Sequence, residues 1–303
     1  MNTETNNVIA CVDGSGLSGA VCDYAAWISQ RVNAPLKLLH TIDHHPETAA
    51  ITDLSGNIGV DSRDHLLEDI IRIEQQHSKL RLQQGKTLLQ TAKKRVMQNG
   101  IADPIISQRH GNLVESLIEL EDSIRVLVIG LRGKGHDNQP GQIGAKLESI
   151  IRSLHKPILV VNEAFKTPQR IMLAYDGSNA AERAVDMVAS SPLYKGLTCH
   201  LVCVSKDEAT SQKLLDAAAN KIIQARGIDL ITQKLTGQID QALCDYQDGQ
   251  AIDITIMGAY SHTRLHDMLL GSFTAKMLLS TRKPLLLLST CLKSWQESLW
   301  LVY

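Results

Sequence analysis

Val8–Ser15 reads VIACVDGS, and Ile171–Ser178 reads IMLAYDGS. Each is a short apolar run ending in Asp-Gly-Ser, the pattern of a buried strand that turns directly into a helix. The likeness continues downstream in the same order. Ile124–Gly130 (IRVLVIG) matches Ile252–Gly258 (IDITIMG), and Leu154–Val161 (LHKPILVV) matches Thr281–Leu288 (TRKPLLLL). An internal repeat of this length means that one small domain occurs twice, which suits 303 residues at about 150 per domain.

The first half predicts strands at 8–13, 36–42, 105–109, 125–130 and 158–162, with helices near 18–32, 63–98, 112–121 and 143–155. The second predicts strands near 170–176, 197–205, 231–236, 252–258 and 284–288, with helices near 179–190, 207–226, 239–247 and 272–281. Strands alternating with helices of ten or more residues imply βαβ crossovers and a parallel sheet. Apolar runs such as VLVIG and LLLL fit strands covered on both faces. The expected fold is therefore α/β, two tandem Rossmann-like doubly wound domains. The domains are placed at 1–163 and 168–303, with Glu163–Gln169 (EAFKTPQ) between them and paired fifth-strand edges completing an intramolecular pseudo-dimer.

The halves differ in length. Between its second and third strands the first spends 62 residues (43–104) and the second 25 (206–230). The excess is a polar loop, His44–Ser62, and a long charged helix, Arg63–Gln98, whose outer end a single small domain cannot cover. That end is expected to contact the other half or another chain. The tail Ser289–Tyr303 carries Trp295, Trp300 and Tyr303, three of only eleven aromatics, and is expected to pack as a final helix or serve a dimer contact.

A net charge of −1 and 4% aromatics provide neither a basic stripe nor a stacking platform, which speaks against nucleic-acid binding. No apolar run approaches a membrane span, and the N-terminus lacks a signal-peptide pattern, so a cytoplasmic protein is expected. Cys199 and Cys203 form a C-x3-C pair, which is not a zinc spacing, and all six cysteines are expected to be reduced thiols. His40, Asp43, His44 and His45 cluster at the end of the second strand. They are weak candidates for a metal, against a plain solvated loop. His262, Arg264 and His266 could equally contact phosphate or fill a loop.

In a doubly wound sheet, ligands lie beyond the carboxyl ends of the strands where the order reverses. In the second half, Asp176 ends the first strand and Gly258 the fourth; Gly258-Ala-Tyr-Ser261 is followed by nine residues and then by Gly271-Ser272-Phe273-Thr274, which opens a helix. A glycine admits close backbone approach, and a helix N-terminus attracts anions. Ser272 and Thr274 would add hydroxyl donors, and Asp176 could accept from ribose hydroxyls. Gly-Ser is equally a plain helix cap.

These residues resemble the universal stress protein family, in its tandem, UspE-like type, over nearly the whole chain. The resemblance implies a five-stranded sheet in the order 3-2-1-4-5 in each domain and the family's G-x2-G-x9-G-(S/T) phosphate loop. It implies ATP or ADP, with Mg, at Asp176, Gly258, Gly271, Ser272, Phe273 and Thr274. By the same correspondence Val204 lines an adenine pocket and Met257 and Tyr260 flank the phosphates, while Ser261 replaces the second glycine. The first half keeps Asp13, Gly130 and Gly133, but ten residues precede Gly144 and Ala145 stands where Ser or Thr belongs, so its site is degenerate. The resulting expectation is a non-enzymatic stress-response regulator that binds nucleotide in its second domain, itself or an unidentified protein being its partner. A nucleotide-free interaction module and a weak ATPase are the alternatives. No G-x-S-x-G, H-E-x-x-H or P-loop motif is present.

Overall fold

A computed structural model describes residues 6–42, 60–133, 143–224, 227–259 and 272–289, with the backbone alone at 60–70 and 208–211. The first half contains β1 (Asn7–Cys11), α1 (Ser18–Val32), β2 (Leu36–Ile42), α2 (Val60–Gln98), β3 (Ile105–His110), α3 (Leu113–Glu119), β4 (Ile124–Gly130), α4 (Ala145–Ser153) and β5 (Ile158–Val161). The second contains β6 (Arg170–Ala174), α5 (Asn179–Ser190), β7 (Thr198–Val204), α6 (Glu208–Gln224), β8 (Asp229–Leu235), α7 (Ile239–Gly249), β9 (Ile254–Gly258), α8 (Ser272–Ser280) and β10 (Leu285–Leu288).

The ten strands of the described residues form one sheet in the order β3-β2-β1-β4-β5-β10-β9-β6-β7-β8. Each half therefore follows the expected 3-2-1-4-5 order, and the two meet through β5 and β10. That pair is antiparallel, with Leu285 opposite Val160, Leu286 opposite Leu159 and Leu287 opposite Ile158, whereas every other pair is parallel. The six junction side chains are at most 4% exposed. Burying each contributes about 1.5–3 kcal/mol, so the junction is core and not a loose domain contact.

Strand alternation feeds two cores. Val8 and Ala10 of β1 and Ile171 and Leu173 of β6 face the layer holding α1, α2, α5 and α6. Ile9 and Met172, one residue out of phase, face the layer of α3, α4, α7 and α8. The helices α1 and α5 thus lie on the same face of the shared sheet.

Polar ties reinforce the junction. The Asn162 amide donates to Thr281 O at 2.9 Å, and the Lys283 ammonium lies 3.0 Å from Glu163. The connecting segment is held by Asp253, which accepts from the Gln169 and Arg170 amides at 2.8 and 3.0 Å and from Lys166 Nζ at 3.0 Å. Burial works against the Asp253 charge, but those three donors outweigh it and hold the carboxyl below the usual range. This duty also explains why β9 begins at Ile254 instead of the expected Ile252. Farther out, Arg31 Nε donates to Leu193 O at 2.7 Å, and Phe165 meets Tyr24 edge-on at 4.8 Å between ring centroids.

The long α2 divides in two. Its inner part packs on β2, β3 and α1 through Gly85, Leu89, Ala92 and Val96, all buried. Arg95 makes a two-pronged contact with Asp23 of α1 at 2.6 and 2.7 Å, and Asn99 adds a third donor at 2.7 Å. Gly19 provides the room: a Cβ there would lie 3.1 Å from the guanidinium carbon. The helix begins at Val60, three residues before the sequence suggests. The expected C-terminal packing of Trp295, Trp300 and Tyr303 lies outside the described residues.

Removing the carboxylate in Asp23→Ala breaks the clamp, but Arg95 is half exposed and water takes up part of the lost bonding, so the cost should be about 1 kcal/mol, read from the urea midpoint. An unchanged midpoint would show that α2 does not depend on this clamp. A pH effect follows from His200 of β7, buried, with Nδ1 2.8 Å from Tyr246 Oη. Burial and the Arg170 charge hold its pKa below the usual histidine value. The unfolded chain takes up that proton near pH 6.5 while the fold refuses it, so stability falls as pH drops below about 6.5. His200→Gln should flatten that part of the profile between pH 7.5 and 5.5; an identical slope in the variant would refute the assignment.

Candidate functional site

The turns after β1 and β6 build the two candidate sites. In each, an aspartate accepts from the amide two residues on, Asp13 Oδ1 from Ser15 N and Asp176 Oδ1 from Ser178 N, both at 2.9 Å. The intervening glycines take positive φ, +79° at Gly14 and +74° at Gly177, which a side chain would resist. Because these side chains fold back onto the turn, β1 and β6 end at Cys11 and Ala174, two residues before the expected aspartates.

The turns then diverge. Ser178 caps α5 by accepting from Ala181 N at 3.2 Å, as a strand-to-helix serine should. In the first half no such serine cap forms: α1 starts only at Ser18, behind Leu17, which offers no capping side chain. Ser18 Oγ instead donates to Asp13 Oδ1 and accepts from Gly14 N, both at 2.9 Å. Asp13 is consequently occupied within its own turn. Asp176 is exposed, and the Ser178 amide is its one hydrogen-bond partner among the described residues.

Pairing of β1 with β4 and of β6 with β9 brings each aspartate beside the end of the neighbouring strand. In the first half Asp13, Gly130 and Gly133 converge, since a Cβ on Gly133 would lie 3.1 Å from Asp13 Oδ2. Gly144 precedes α4 with extended backbone, and a Cβ there would meet nothing within 4 Å among the described residues. In the second half Gly258 ends β9 beside α5, and its Cβ would lie 2.6 Å from Ala180 Cβ. Packing of α5 against the sheet thus demands this glycine, independently of any ligand.

The remaining expected residues separate into groups. Thr274 is buried, and its hydroxyl donates to Ala259 O at 2.6 Å, which ties α8 to the end of β9. That proton is spent on the backbone, so the expected phosphate donor at Thr274 is a structural strut. Met257 is 2% exposed within the core beneath α7 and α8, so its side chain does not flank the crevice. Val204 ends β7 half-buried on the same face, and Phe273 is half-buried at the start of α8. Ser272, the first residue of α8, is exposed. Tyr260, Ser261 and Gly271, with His262, Arg264 and His266, lie outside the described residues.

His40 is fixed by packing. Its Nδ1 lies 2.7 Å from Val12 O, so the ring donates there, and the Nε2 edge abuts Gly85, whose Cβ would lie 3.1 Å away. Asp43, His44 and His45 lie outside the described residues. Among the described residues no group of three or more His, Cys, Asp or Glu could hold a metal. Burial pushes the Cys11 and Cys199 thiols up to about 12, so neither is a ready nucleophile. A polar depression beyond β3, lined by Arg109, His110, Asn112 and Glu115, was not signalled by any motif. Arg109 is bound there to Glu119 at 2.6 Å.

The arrangement defines a doubly wound α/β protein with an acidic residue after the first strand and a helix N-terminus after the fourth in each half, on either side of the switch point. A family model described as the universal stress protein family matches residues 4–162 and 205–289. A universal stress protein of Synechocystis, Slr1230, is 33% identical over 282 residues, covering 92% of this chain and 98% of its own. The chain belongs to the universal stress protein family. The crystal structure of a universal stress protein from Archaeoglobus fulgidus shares the fold with a TM-score of 0.67 at 18% identity, covering 95% of this chain and 99% of that one. The crystal structure described as a putative universal stress protein from Pseudomonas aeruginosa gives 0.56 at 14% identity over 94% of this chain and 93% of that one. The family model leaves out 163–204, the stretch that carries Asp176. Among the described residues no helix is long and apolar enough to cross a membrane.

The packing role of Gly258 is testable without a ligand. Gly258→Ala should destabilise by about 1–3 kcal/mol through overpacking, and adding Ala180→Gly should recover part of the loss in a double-mutant cycle. Additive effects would mean that the two positions do not meet.

Proposed function

We propose that the chain is a non-enzymatic regulatory protein of the stress response whose second domain binds ATP or ADP. The observation that carries this is the exposed Asp176 carboxylate at the end of β6, one strand from the glycine that ends β9. In this reading domains 1–163 and 168–303 share one sheet. The adenine nucleotide lies across the β6–β9 switch point, with its ribose hydroxyls at Asp176. Its phosphates meet the loop from Gly258 to the α8 N-terminus, through backbone amides and the Ser272 hydroxyl. Magnesium would ride on the phosphates. The intact nine-residue spacing between Ser261 and Gly271 supports this assignment. The first domain, with Asp13 engaged by Ser15 and Ser18, acts as the structural half. Occupancy would bias a surface read by a protein partner, in the cytoplasm.

One observation favours a second reading. Asp13 and Gly133 converge within the first crevice, and the family model spans that whole half. A nucleotide held there would need only a shift of the Asp13 side chain.

Mass spectrometry of small molecules released from the purified protein separates these readings. The proposal expects ATP or ADP in the wild type, its loss in Gly271→Asp, and its retention in Gly144→Asp. Loss only in Gly144→Asp assigns the first crevice. No retained or added nucleotide in the wild type leaves an interaction module, and turnover above that of Gly271→Asp would make the protein a weak ATPase.

A further inference from the structure

The inner part of α2 turns Gly85, Leu89, Ala92 and Val96 to its own domain, a stripe spaced four, three and four residues. Carried outward, the same face meets Leu82, half-buried, then Ser78, Glu74 and Ile71, the last 53% exposed, so the core of its own domain ends near Leu82. A second row of apolar residues lies on another face of the outer part. Leu66, Ile70, Ile73, His77 and Leu80 recur at four, three, four and three, the period of a coiled-coil seam. At 3.6 residues per turn this seam is rotated by about a third of a turn from the inner stripe. Residues 71–80 are all exposed, with Ile73 at 49% and Leu80 at 58%. One helix thus carries two apolar faces in different directions, and its own sheet can cover only the inner one.

Charge selects what covers the outer face. From Val60 to Ile70 there are four acids, Asp61, Asp64, Glu68 and Asp69, and one base, Arg63. From Ile71 to Gln84 there are three bases, Arg72, Lys79 and Arg81, and one acid, Glu74. The segment therefore runs from net −3 to net +2 along its length. A second copy laid antiparallel sets the acidic end of each against the basic end of the other, with the apolar seam between them. Parallel pairing would set like against like. Antiparallel contact about a two-fold axis is also the closed, isologous geometry of ordinary homodimers, in which each contact is made twice.

We infer that the outer part of α2, residues 60–84, is the dimerisation element of this protein and pairs antiparallel with the same segment of a second chain. This surface is separate from both crevices and does not rest on nucleotide binding. It also assigns a purpose to the main difference in length between the two halves, since the second half, joined to the first within the sheet, has no such extension.

The test uses the full-length protein. Sedimentation equilibrium at micromolar concentration should give a dimer for the wild type and a monomer for the Ile73→Glu, Leu80→Glu double variant. Circular dichroism should show the variant still folded, because neither side chain enters the core. Orientation is read with a short bismaleimide in a background lacking the thiols of Cys244 and Cys291. Ile73→Cys, near the two-fold centre, should cross-link to its copy, whereas Leu66→Cys and Leu80→Cys should each cross-link at least tenfold less. Equal yields at all three would establish a parallel pair and overturn the antiparallel assignment. A monomeric wild type, or a dimer that persists in the double variant, would overturn the dimerisation element itself.

Discussion

The antiparallel pairing of β5 with β10 is the constraint on which the rest of the structure depends. A five-stranded sheet of order 3-2-1-4-5 has an apolar fifth strand at its edge, and an exposed apolar edge invites aggregation. In this chain the two such edges, ILVV and LLLL, satisfy one another. The remaining edges, β3 and β8, are polar strands carrying Gln108, Arg109, Gln233 and Lys234. The chain thereby gives one sheet covered by helices on both faces instead of two beads on a string. The Glu163–Lys283 pair and the donors gathered by Asp253 then follow as local consequences of having β5, β10 and the connecting segment side by side.

The same pairing decides how the crevices relate. Strands are parallel within each half, and the halves are antiparallel to one another, so the carboxyl ends of β1 and β4 point opposite to those of β6 and β9. The two candidate sites therefore open at opposite ends of the sheet and share no residue. Each can drift on its own, and their turns already differ. Asp13 is gathered into a closed turn by Ser15 and Ser18, while Asp176 stays exposed above a conventional serine cap.

Most of the fold was legible in the sequence because its signals are local and repeated. Buried parallel strands read as unbroken apolar runs, and VIACV and IMLAY announce the same element twice. Even the β5–β10 junction follows from two apolar edge strands. Element ends shifted where side chains do backbone work, as at Asp13, Asp176 and Asp253, since no periodicity reports a hydrogen bond. The candidate site was less legible. A glycine before a helix and a threonine in its first turn are common to phosphate loops and to plain packing. Three-dimensional contacts were needed to show that Gly258 makes room for Ala180 and that Thr274 is bound to Ala259. The Met257 side chain is hidden for a simple reason: in a strand, alternate residues face opposite layers, and its register turns it into the core.

Native-state hydrogen exchange of the full chain tests the single sheet most directly. If the halves are one folding unit, the amides at 158–160 and 285–287 should be as slow to exchange as those of β1 and β6 and should open only with global unfolding. Rapid exchange at β5 and β10, with β1 and β6 still protected, would show two separate sheets with free edges and would contradict this account.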